Sequence, residues 1–101
     1  MNFKSLDLIE EANKLKKEIN NDINSGKTEF LKSKIEKYEE VKKESIKADI
    51  LEEKSIIEKA KIYSINEINK SVKENLLCLD EKEDKEIKEL ENEIKLLRGN
   101  I

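Results

Sequence analysis

From Glu29 to Leu79 the chain runs without a single glycine or proline. Glycine and proline are the residues that most readily end a helix, one through backbone freedom and the other through a missing N–H and a fixed φ. Within that stretch Phe30/Leu31, Ile35, Tyr38, Val41, Ile46, Ile50, Ile57, Ala60, Ile68 and Val72 recur at broadly helical spacing, which predicts helix throughout. Unbroken, the 51 residues would reach roughly 77 Å at about 1.5 Å per residue. A compact domain of this size has a radius of gyration of only about 13 Å. The chain must therefore form an extended rod or turn back on itself. Tyr63-Ser64-Ile65-Asn66-Glu67-Ile68 is the best place for a break, because Ser64 and Glu67 have capping-box spacing and Tyr63 and Ile68 stand where a hydrophobic staple would be.

The flanking segments are helical as well. Leu8, Ala12, Leu15 and Ile19 step by 4, 3 and 4, and Ile9 and Ile23 widen the stripe, which places a first helix at about residues 2–24. Asn24-Ser25-Gly26 stops it, since Gly26 can enter the left-handed region that closes a helix C-terminus. Thr28 is the expected cap of the next helix. Near the other end, Asp80 with Glu83 three residues later reads as the start of a last helix at about 81–98, and Arg98-Gly99 marks its finish. Glu10/Lys14, Glu39/Lys43, Glu81/Lys85, Asp84/Lys88 and Glu91/Lys95 set acid before base at i,i+4, each stabilising exposed helix by about 0.2–0.5 kcal/mol.

The expected architecture is one all-α domain over 1–101, with three or four helices in a helical bundle or coiled coil. The long helical region spans about 29–79, either as one helix or as two with a break near 64. A further pattern favours long helices: Ile35, Ile46, Ile57, Ile68, Leu79, Leu90 and Ile101 follow one another at a constant spacing of 11. That period keeps a face nearly in line along a straight rod.

Composition narrows the function. Charged residues make up 45% of the chain and apolar ones 36%, with no histidine, so the core is thin and of the kind that another chain often completes. The 21 basic and 24 acidic groups are mixed along the whole length and leave no basic face for nucleic acid. The longest apolar run, Leu76 to Leu79, is far short of the roughly 18 residues of a membrane span. The N-terminal Phe3, Leu6 and Ile9 cluster has too many acidic neighbours to suit a lipid surface. The start of the chain lacks the basic and apolar regions of a signal peptide, and the expected location is the cytoplasm. A lone cysteine agrees with that location.

The patterns that hint at chemistry are better explained as helix and turn. Gly26-Lys27-Thr28 is like the end of a phosphate-binding loop, but Asn21 stands where the motif's first glycine belongs. Asp22/Asn24/Gly26 and Asp80/Asp84/Glu91 echo calcium loops, but Gly26 comes one place early in the first, and Lys82 and Lys85 occupy ligand and glycine positions in the second. Di-metal bundles need Glu-x-x-His pairs, which a chain without histidine cannot supply. Cys78, between Leu77 and Leu79, reads as a small buried hydrophobe. No catalytic residue, cofactor, metal or small-molecule substrate is expected, and the protein is not expected to be an enzyme.

What remains is apolar surface on helices. Ile87, Leu90, Ile94, Leu97 and Ile101 step by 3, 4, 3 and 4 with Ile and Leu in alternation, the arrangement of parallel two-stranded coiled coils. This stripe is the expected protein-binding site. The expected function is that of an adaptor or chaperone holding an apolar helix of a partner, the alternative being a coiled-coil protein whose partner is itself.

Several stretches taken together resemble the FliT family of flagellar export chaperones. They are the helix ending Ile23-Asn24-Ser25-Gly26-Lys27, a second helix with Leu31, Ile35 and Tyr38-Glu39-Glu40-Val41, and Leu79-Asp80 before a last helix ending Leu97-Arg98-Gly99. The resemblance covers nearly the whole chain. It implies a small acidic helical protein that guards a subunit before secretion.

Overall fold

The computed structural model describes the backbone of residues 4–61 and 66–100, and the side chains of these except 60, 61 and 66–72. Three helices account for nearly all of it: α1 (Lys4–Ser25), α2 (Leu31–Lys61) and α3 (Asn66–Arg98). They pack as an all-α bundle in which α1 and α3 both lie against α2. The bundle measures 59 × 27 × 16 Å, its length set by α2 and α3, which reach about 46 and 50 Å at 1.5 Å per residue.

The first turn forms for the reason its sequence suggests. Gly26 sits at φ +70°. Its N–H donates to the Ile23 carbonyl and the N–H of Lys27 donates to that of Asp22, a Schellman closure that satisfies carbonyls left free by the helix end. The start of α2 differs from expectation. Glu29 and Phe30 remain in the turn, and the Thr28 carbonyl accepts the Leu31 N–H at 3.3 Å, so the main chain rather than the threonine hydroxyl makes the described contact.

The long glycine-free stretch does turn back. Ion pairs Glu39–Arg98, Glu53–Lys82 and Lys54–Asp80 tie α2 to α3 in antiparallel register, all centred within about two residues of 68. Exposed pairs of this kind contribute about 0–1 kcal/mol each, so they report register more than stability. The capping box at Ser64 lies outside the described residues. The 11-residue repeat has its midpoint at Ile68, and in this register it sets Ile57 opposite Leu79 and Ile46 opposite Leu90 across the hairpin. Of that stripe Ile35, Ile46 and Leu90 lie in the core between the helices.

The last helix does not begin at Asp80. Helix α3 runs unbroken from Asn66, and the Asp80 carboxylate is held by Lys54 of α2 instead of capping its own chain. Nothing between Leu79 and Asp84 breaks helical backbone, and mid-helix acids alternate there with Lys82.

The core joins Ala12 and Ile19 of α1, Leu31, Ile35, Tyr38, Val41 and Ile46 of α2, and Leu90, Ile94 and Leu97 of α3. Leu8, Leu15, Ile23 and Ile87 pack around it. Ile19, Leu31 and Ile35 are fully shielded from water, and each such burial contributes about 2–3 kcal/mol. At its start α1 is fastened to α2 by Glu52, which accepts from both the backbone N–H and the hydroxyl of the buried Ser5. A carboxylate there meets free N–H groups and the positive end of the helix dipole.

Candidate helix-docking groove

Helices α1 and α3 share α2 but not each other: among the described residues no Cα of one comes within 8 Å of a Cα of the other. Their link is a side-chain clamp. Lys16 of α1 reaches Glu93 of α3 at 2.6 Å, and the Tyr38 hydroxyl of α2 donates to the same Glu93 oxygen at 2.8 Å. Lys16 also stands 5.6 Å from the centre of the Tyr38 ring, within cation–π range. Burial alone would raise the Glu93 carboxyl, but the bonds from Lys16 and Tyr38 and the charges of Lys16 and Lys42 outweigh it and hold the carboxyl below the usual glutamate range. Burial, then the bond to Glu93, pushes the Tyr38 phenol well above its usual value.

Beyond this clamp the gap between α1 and α3 becomes a depression of about 340 Å³ over Ser45 and Ile46, walled by Ile9 on one side and Leu90 on the other. Ser45 is buried and its hydroxyl donates to the Lys42 carbonyl, so the floor holds no unmet polar atom. A second depression of about 330 Å³ follows, lined by Ser5 and Leu6 of α1 and by Asp49, Glu52, Glu53 and Ile56 of α2. Asp49 belongs to both. Lys42, Ser45, Ile46, Asp49, Glu52, Glu53 and Ile56 recur at spacings of three and four and lie on one face of α2, as Ser5, Leu6 and Ile9 do on α1. The two depressions share Asp49 and follow one face of α2, a line of about 21 Å from Lys42 to Ile56 at 1.5 Å per residue that we call the groove.

The groove is apolar at its open end and acidic along its rim. Leu6 and Ile56 are more than half exposed there. Asp49, Glu86, Glu89 and Glu93 line the closed half with a single base, Lys42. Glu52 is engaged by Ser5 and Glu53 by Lys82, whose pKa is raised first by the Glu53 charge and further by Glu86 and Asp49. Asp49, Glu86 and Glu89 make no ion pair among the described residues. No group of His, Cys, Asp or Glu among the described residues is arranged to hold a metal ion.

The stripe singled out in the sequence lies mostly in the core. Leu90, Ile94 and Leu97 are buried, 3%, 2% and 6% exposed, with Ile87 packed against them, while Ile101 lies outside the described residues. In this fold the stripe faces the chain's own helices, because α3 folds back on α2 and brings it to the core, and only Leu90 reaches the groove wall. Cys78 also departs from expectation and is exposed; Leu76 and Leu79 take the more buried positions of that turn. Sequence reasoning did not single out Asp49, Ile56, Glu86 or Glu89. The available signal was the mixed apolar and acidic stripe of α2 from Lys42 to Ile56, which reads as ordinary helix surface until α1 is seen to run beside it.

No helix among the described residues is long and apolar enough to cross a membrane. No family model, curated protein or solved structure matches the chain.

Proposed function

We propose that the protein is a helix-docking module, an adaptor or chaperone that holds an apolar helix of a partner in the groove between α1, α2 and α3. The observation that carries this reading is the alignment of two depressions along one face of α2, the second of them lined by two apolar side chains, Leu6 and Ile56, that the chain leaves more than half uncovered. A helix two turns long and about 10 Å wide occupies on the order of 800 Å³, more than either depression holds. A partner helix therefore lies along the rim and sends side chains down, in the helix-in-groove mode. A chaperone that guards a subunit's helix, as the FliT resemblance implies, is one form of this function.

The test is site-specific photo-crosslinking in cells. A photoreactive residue at Ile56 should trap one helix-forming segment of another protein, whereas the same residue at Leu96, which is more exposed but lies on α3 away from the groove, should not. Crosslinks from Ile56 to a second copy of this chain would favour the self-associating alternative, and equal labelling from both positions would refute docking at the groove.

A further inference from the structure

Resting on that docking reading, the geometry points to the chemistry of the occupant: an amphipathic helix of another protein whose apolar anchors, one turn apart, are flanked by lysine or arginine. The apolar elements of the groove are Leu6 and Ile56 at the open end and Ile9, Ile46 and Leu90 further in. Anchors at i and i+3 or i+4 match the repeat of side chains along α2 that forms this wall. Beside the apolar residues stand Asp49, Glu86 and Glu89, which make no ion pair among the described residues. With Glu93 they outnumber the bases nearby, Lys42 in the same depression and Lys82, whose pKa is raised first by the Glu53 charge and further by those of Glu86 and Asp49. An acidic or neutral helix would leave them facing like charge or a partly dehydrated surface, while a basic helix offers each a counter-charge as water is excluded. Charge complementarity of this kind sets orientation and speeds encounter.

The charge of the groove favours another protein over a second copy, because this chain carries a net charge of −3 and mixes lysine with glutamate along its whole length. The large apolar side chains that the described residues leave more than half exposed are Leu6, Phe30, Leu51, Ile56, Leu77 and Leu96, and no two of them stand one turn apart on a helix. Among the described side chains the nearest match is Leu51, flanked by Lys47 and Lys54, which offers a single anchor.

The experiment uses the full chain and three fluorescent synthetic helices of equal length carrying the same pair of leucines. Their flanking residues are lysine and arginine, glutamate, or glutamine, and binding is read by anisotropy at low and high salt. The basic helix should bind at least about tenfold tighter than the neutral one, and the gap should narrow as salt shortens the screening length below about 10 Å. Combining Asp49→Asn, Glu86→Gln and Glu89→Gln should remove most of that preference. A control triple of equal charge change away from the groove, Glu11→Gln, Glu36→Gln and Glu91→Gln, should leave it within about twofold. If the neutral or acidic helix binds as well as the basic one, and Leu6→Ser with Ile56→Ser abolishes that binding, docking stands and the charge inference falls. If no helix binds, both fall. If both triples weaken the basic helix equally, net charge and not the groove is responsible, and the inference is overturned. If the unliganded chain doubles its mass in light scattering and Leu51→Ser reverses this, the occupant is a second copy.

Discussion

Replacing Tyr38 with phenylalanine isolates the bond that closes one end of the groove. The ring stays, so the buried packing of residue 38 and its contact with Lys16 are retained, and only the hydroxyl donating to Glu93 at 2.8 Å is lost. A hydrogen bond to a charged acceptor contributes about 1.5–3 kcal/mol. The Glu93 side chain is still 33% exposed, so water can partly replace the phenol, and the lower end of that range, about 1.5 kcal/mol, applies. For a domain of about 100 residues this lowers Tm by about 6–10 °C. The cost depends on pH with a definite sign. Glu93 is held below its unfolded pKa, so its stabilising contribution is full above the unfolded value and is lost as pH falls through the folded one. Removing the phenol brings the two values closer, and the penalty of Tyr38→Phe should shrink on acidification below the usual glutamate range. Lys16→Met removes the other donor to the same oxygen, so the two substitutions should be non-additive. Calorimetry on both single variants and the double variant between pH 3 and 7 reads all three quantities. A Tm unchanged at neutral pH, or a penalty that grows on acidification, would refute the reasoning.

Other substitutions test the rest of the frame. Ile19→Ala empties a site with no solvent exposure and should cost about 2–5 kcal/mol in urea unfolding without changing the m-value. Gly26→Ala meets no atom within 4 Å of the added Cβ, so its cost of about 1–2 kcal/mol comes from the positive φ alone, and Gly26→Asn should recover part of it. Glu52→Ala removes the acceptor shared by the N–H and hydroxyl of Ser5. It should lower stability by about 1–2 kcal/mol and raise amide exchange in the first turns of α1 well ahead of that in α2.

Much of this fold was legible in the sequence because its signals are local. The 4, 3, 4 spacing from Leu8 to Ile19 and the glycine at position 26 act within one turn of helix, and the structure shows both where spacing and backbone freedom put them. Asp80 misled because a carboxylate can cap its own helix or pair with a base on another, and sequence spacing does not record that Lys54 lies across the hairpin. The tail stripe from Ile87 to Leu97 was legible as an apolar face, but whether such a face meets its own chain or another depends on where α3 turns back. The 11-residue repeat suggested a rod, but its Ile35, Ile46 and Leu90 lie in the core between the folded-back helices. The groove was the least legible feature. It is made by the separation of α1 from α3, held by three residues 22 and 55 positions apart along the chain, Lys16, Tyr38 and Glu93.

The central claim is that the α1–α2–α3 groove receives a basic amphipathic helix, and methyl NMR of the full chain titrated with the lysine- and arginine-flanked peptide tests it most directly. The account predicts saturable shifts at Leu6, Ile9, Ile46, Ile56 and Leu90, with Leu51, Leu77 and Leu96 unmoved. Shifts centred on Leu51 or Leu96, or spread evenly over the surface, would contradict it.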